Sequence, residues 1–169
     1  MIDDEEDNYP QHKIDLEKRL ADKGKELFKI VHTLQEDLPE SDMLKHQKAF
    51  MMEDVLILRT KIAGASGNTL YSIKMENATL IRKAAMSLYI SKHSFALEDY
   101  TGMHYFDMLR DVIDEFREIF IDWVDSFDKW EYVKDDWNLF NPPGVHARDK
   151  DPDEDLPFTN PPNPDGDED

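Results

Sequence analysis

The sequence predicts an all-α protein, an up-down-up-down four-helix bundle with an acidic N-terminal end and a Pro/Asp-rich C-terminal tail. Three observations carry that expectation. Apolar residues recur at three- and four-residue steps through most of the chain, the period of a helix that buries one face. Seven of the nine prolines lie after residue 140 and none falls between 40 and 141, so long helices meet no breaker there. The stretch 106–130, FDMLRDVIDEFREIFIDWVDSFDKW, carries an aromatic seam without a gap.

The expected layout is an acidic end at 1–10, a bundle over 11–138 with helices near 12–37, 41–66, 69–93 and 103–131, and an extended or disordered tail over 139–169. In the first helix Leu16, Leu20, Leu27, Ile30, Val31, Leu34 and Leu38 form the stripe, interrupted at Lys23 and Gly24. Pro39 follows and stops it. Ser41 and Asp42 suit the cap of a second helix, whose stripe Met51, Val55, Leu58, Ile62 and Ala65 runs to a break at Gly67 and Asn68. The small residues of 63–67 predict close backbone approach in a tight helical hairpin. They lack the GxxxxGK[ST] spacing of a phosphate cradle.

Thr69 is placed to cap the third helix, with Leu70, Ile73, Leu80, Ile81, Ala84 and Leu88 on one face. Asn77 falls on that stripe, where a buried amide costs stability unless paired and commonly fixes register. A longer connection, ending near Gly102, leads to the fourth helix. There Phe106, Leu109, Ile113, Phe116, Phe120, Trp123, Phe127 and Trp130 alternate steps of three and four, the pattern of a helix packed along neighbours. Val112, Ile119 and Val124 widen the stripe to the breadth a bundle helix needs. The seam is therefore expected to be core, with Phe116 and Phe120 buried.

Charge excludes more than it identifies. The net charge is −18, of which 1–8 supply −5 and 141–169 supply −7, leaving −6 for the remainder. Both ends repel phosphate and no basic stripe offsets them, so nucleic acid is not an expected ligand. Within the bundle, 48–93 comes to +4 and 106–130 to −5, a basic hairpin against an acidic helix. Arg59, Lys61, Arg82 and Lys83 are the candidate binding residues of that hairpin, through complementarity to an acidic partner or another copy of the chain. The tail reads first as a solubilising terminus, with a short docking peptide centred on Leu156, Pro157 and Phe158 as the alternative.

Chemistry is sparse. There is no cysteine, hence no disulfide, thiolate metal site or thiol nucleophile. ExxH, HExxH and GxSxG are all absent, which removes the signatures of dimetal carboxylate bundles, zincins and α/β-hydrolase elbows. His104, Asp107 and Asp111 share a helical face, with Glu98 and Asp99 upstream and His32 and Glu36 at helical spacing elsewhere; imidazole and carboxylate can share a divalent metal, so a metal-binding bundle is the alternative reading. The expected function is a non-enzymatic, cytoplasmic bundle that binds protein, its own copies included. Cofactors, nucleic acid and membrane are not expected, and no window approaches the roughly 20 apolar residues of a span.

Overall fold

Burial of one stripe per helix sets the architecture. The computed structural model describes residues 11–38, 40–95 and 102–150. The acidic N-terminal end, Pro39, Glu98, Asp99 and the stretch 151–169 with Leu156, Pro157 and Phe158 lie outside them. Helix α1 spans Gln11–Asp37 and buries Leu16, Leu20, Gly24, Leu27, Val31 and Leu34. Helix α2 spans Asp42–Ser66. Ser41 caps it as expected, its Oγ accepting the Leu44 N–H at 3.1 Å. Helix α3 runs Tyr71–Ile90, α4 is a single turn at Lys92–Phe95, and α5 covers Met103–Asp125. All-α, four-helix architecture is what the sequence predicts.

The stripes hold with local shifts. In α2, Met51, Val55, Leu58, Ile62 and Ala65 are all buried. In α3, Ile81, Ala84 and Leu88 are buried but Ile73 is exposed and Leu80 only half-buried, because the inward face turns to Tyr71, Lys74, Ala78 and Ala85. Asn77 is displaced with it. Its Nδ2 donates to the Ile73 carbonyl of its own helix at 3.0 Å, so the amide is satisfied locally. Thr69 does not cap α3; Asn68 Oδ1 instead accepts the Leu70 N–H at 2.9 Å in the turn from α2.

Neither glycine of 63–67 is a point of close approach, since a Cβ on Gly64 or Gly67 would meet no atom within 4 Å, although Ala65 is fully buried. Close approach occurs on α1 instead. A Cβ on Gly24 would lie 3.3 Å from Leu58 Cδ2 and 3.4 Å from Ile62 Cδ1. The residue that interrupts the first stripe is thus the one that lets α2 sit close.

The fourth long helix stops at Asp125, short of the expected 131. The Ser126 N–H bonds to the carbonyls of Asp122 and Trp123, each at 3.2 Å, and its Oγ donates to Trp123 O at 2.6 Å. Phe127 still packs in the core, edge-on to Trp123 with centroids 4.7 Å apart. Trp130, assigned to the seam by period, is 90% exposed. Trp123 is fully buried, and its indole N–H has no acceptor among the described residues.

Each helix touches its two neighbours in the ring α1–α2–α3–α5, and alternation of direction is recorded by the contacts. Gln35 near the end of α1 donates to Lys48 O near the start of α2 at 2.7 Å. Tyr71 N–H at the start of α3 donates to Glu131 O, just past α5, at 2.7 Å. Across the diagonal, Lys74 of α3 reaches Glu17 of α1 at 3.3 Å and lies over the Phe127 ring at 5.2 Å.

Beyond α5, residues 126–150 form a loop organised by Asp135. Its carboxylate accepts the N–H groups of Trp137, Leu139 and Phe140, each at 2.9 Å, while Asn141 Oδ1 accepts the Asp135 N–H at 2.7 Å. Those donors, Phe140 and Leu139 foremost, hold the Asp135 carboxyl below the ordinary carboxylate range. Asn138 takes φ 58° in the turn, where its Oδ1 accepts Ala147 N–H at 2.9 Å. Residues 139–150, grouped by composition with the tail, are thus hydrogen-bonded to Lys134, Asp135 and Asn138 of the same loop, through side chains whose role composition does not reveal. Trp137 stays 85% exposed on this loop.

Candidate functional site: a groove between α3 and α5

Seam width follows from the side chains that face across it. α3 presents Ala85 to the groove where α5 presents Phe116 and Phe120, so bulky rings set the separation and the small residue leaves space beside it. The result is an open apolar groove of about 420 Å³. Arg82, Ala85, Met86 and Tyr89 line it from α3; Ile113, Phe116, Arg117, Phe120 and Ile121 line it from α5. The Phe116 and Phe120 rings are stacked with centroids 6.0 Å apart and form the floor. Met86 and Ile121 are exposed at 46% and 48% on the rims.

At one end of the groove Arg110 packs on the lining residue Tyr89. Arg110 Nε donates to Tyr89 O at 3.0 Å and its guanidinium covers the Tyr89 ring at 4.8 Å. Two further arginines flank the floor. Arg117 pairs with Asp114 at 3.1 Å and Glu118 at 3.8 Å, in exposed contacts that contribute little. Arg82 makes no ion pair among the described residues. An apolar trough with a few placed polar groups is the general form of a binding site. A larger concavity at the α1–α2 connection is lined by Glu40, Ser41, Asp42, Lys45 and Lys48 and has no apolar floor.

The four basic residues picked from sequence do not form one patch. Arg59 stacks its guanidinium on Phe28 of α1 at 4.8 Å, whereas Arg82 lines the groove beside α5. They face opposite neighbours of the α2–α3 hairpin. Lys83 is exposed near Asp54, whose carboxyl is pushed up by burial and held back by the Ser87 hydroxyl. Lys61 is half-buried.

His104, Asp107 and Asp111 do not converge either. His104 lies against the Tyr105 ring at 4.1 Å, Asp107 is paired with Lys92, and Asp111 points to solvent. Seven residues of helix separate the outer two by about 10 Å along the axis, too far for one ion. Among the described residues no three His, Asp or Glu side chains are grouped to hold a metal. His32 and Glu36 make only an exposed pair at 3.9 Å.

Sequence reasoning missed two features. Lys74, almost fully buried, carries a charge that Glu17 offsets across the bundle. The signal for the groove was present but unread: Ile121 beside the seam residue Phe120, and Met86 beside Ala85, are large apolar side chains just off the buried stripe. Among the described residues no helix is long and apolar enough to cross a membrane. No family model, curated protein or solved structure matches the chain.

Proposed function

We propose that the protein is a non-enzymatic interaction module of the cytoplasm whose α3–α5 groove takes an apolar, acidic segment of protein. The observation that carries this is the groove itself, floored by Phe116 and Phe120 and flanked by Arg82 and Arg117. Aromatic floors and arginines are the residue types over which binding energy concentrates at interfaces. The charge balance supports protein over nucleic acid, since −18 overall repels phosphate while two local arginines attract carboxylate. The non-enzymatic part rests on the missing cysteine and the missing catalytic spacings. Self-association belongs to the same reading, because the chain carries acidic stretches with embedded apolar residues.

The test is selection of phage-displayed random peptides on the full chain. Recovered sequences should join Leu, Phe or Trp to Asp and Glu, and Ile121→Glu, which removes apolar contact and repels acids, should weaken them at least tenfold. If every recovered peptide binds the Ile121→Glu protein as well as the parent, the groove is not the site.

A further inference from the structure

The groove is open, apolar and basic at its flanks, and the chain itself carries a segment of the complementary kind. Residues 151–158, DPDEDLPF, place four acids, Asp151, Asp153, Glu154 and Asp155, directly before Leu156 and Phe158. The chain continues 19 residues past Lys150, the last described residue. We infer that this segment folds back into the α3–α5 groove of its own molecule, with Leu156 and Phe158 on the Phe116–Phe120 floor and the acids toward Arg82 and Arg117. The inference rests on the reading of the groove as a protein-binding site, and it names the occupant that any partner must displace.

Position and reach agree with this. Tyr71 N–H holds Glu131 O, and Lys134 Nζ holds the Asp149 carbonyl at 3.0 Å, so the chain departs from the end of the bundle where α3 begins. From Tyr71 to Arg82 and Met86 is eleven to fifteen residues of helix, about 16–22 Å along the axis. Leu156 and Phe158 lie six and eight residues past Lys150, which extended chain spans over about 20–28 Å. Arg110 packs on Tyr89 at the end of the groove remote from Tyr71, which leaves the Arg82 and Phe120 end nearer to the arriving segment. Charge agrees as well. Arg82 has no ion pair among the described residues, and the partners of Arg117 are exposed neighbours on its own helix. Pro157 and the flanking Pro152 restrict the free segment, which lowers the entropy lost on docking.

A tail held in the groove acts as a built-in competitor. A groove occupied nine-tenths of the time by its own tail shows a ligand affinity about tenfold weaker than an empty one. Such a device sets a threshold that a partner must exceed.

The experiment uses the full chain, its full-length Leu156→Ser/Phe158→Ser variant, and a labelled peptide of residues 151–160 as probe. The peptide should bind the variant about tenfold more tightly than the parent. Ile121→Glu should abolish binding in both backgrounds, and 1 M salt should weaken it as the Debye length falls to about 3 Å. In the absence of peptide, the Met86 methyl resonance should differ between parent and variant, and the difference should not change on dilution. Equal peptide affinities with an unchanged Met86 methyl would overturn the inference. A Met86 shift that disappears on dilution would also overturn it, assigning the groove to a second copy's tail. If the tail peptide fails while phage-selected peptides still bind through Ile121, only this inference falls; if both fail, the reading of the groove falls with it.

Discussion

The α1–α2 seam and the α3–α5 seam are built from the same kind of helical stripe and end in opposite states. In the first, Gly24 faces Leu58 and Ile62 so closely that a single added carbon would touch both. In the second, Phe116 and Phe120 face Ala85, and a groove of about 420 Å³ remains. The closed seam contributes stability and offers nothing to bind. The open seam gives up some packing and leaves Met86 and Ile121 in water, a cost that a ligand would recover. Which seam can carry function is therefore decided by the sizes of two or three facing residues.

The largest effect is expected where the open seam still belongs to the core. Phe116 is 2% exposed, so Phe116→Ala should destabilise by about 3–5 kcal/mol in urea unfolding. Unchanged stability with lost peptide binding would make the floor a pure interface and erase the distinction between core and groove.

A smaller, paired effect sharpens the comparison. Gly24→Leu forces a side chain into the closed seam and should cost about 1–3 kcal/mol. Ala85→Leu adds similar bulk at a buried position that borders the groove, where there is room on one side, and should cost less than Gly24→Leu. Equal costs at the two positions would show that the groove closes in solution. The smallest effect is expected at the rim. Met86→Glu should leave the stability unchanged within about 0.5 kcal/mol, while the affinity of phage-selected acidic peptides falls.

Much of the fold was legible because burial imposes a period. Leu16, Leu20, Leu27, Val31 and Leu34 are buried as their spacing requires, and so are Met51, Val55, Leu58, Ile62 and Ala65. The Ser41 cap was legible because an N-cap needs only its own helix. Helix ends were less so. The three-and-four rhythm continues through Phe127 to Trp130, although Ser126 bonds back to Trp123 and ends α5. Period reports which face a residue would occupy and not whether the helix lasts that far. Asn77 was misread for a related cause: one step of rotation in α3 moves it off the buried face.

The site was legible only in fragments. Arg82 was picked for its charge and does line the groove, but it was grouped with Arg59, which packs on Phe28 at the opposite neighbour. His104 and Asp111 share a helical face yet stand too far apart along the axis to share an ion.

By itself the sequence determined the four long helices, the buried faces of α1 and α2 and the antiparallel order of a bundle with short connections, because these follow from local propensity, period and chain length. Only the tertiary structure decided that Gly24 is a point of closest approach, that Lys74 and Glu17 meet across the bundle, and that α3 and α5 stand apart. The physical reason is that helix separation depends on pairs of side chains facing each other from distant parts of the chain. Ala85 and Phe116 leave a groove as a pair, and neither residue carries that information alone.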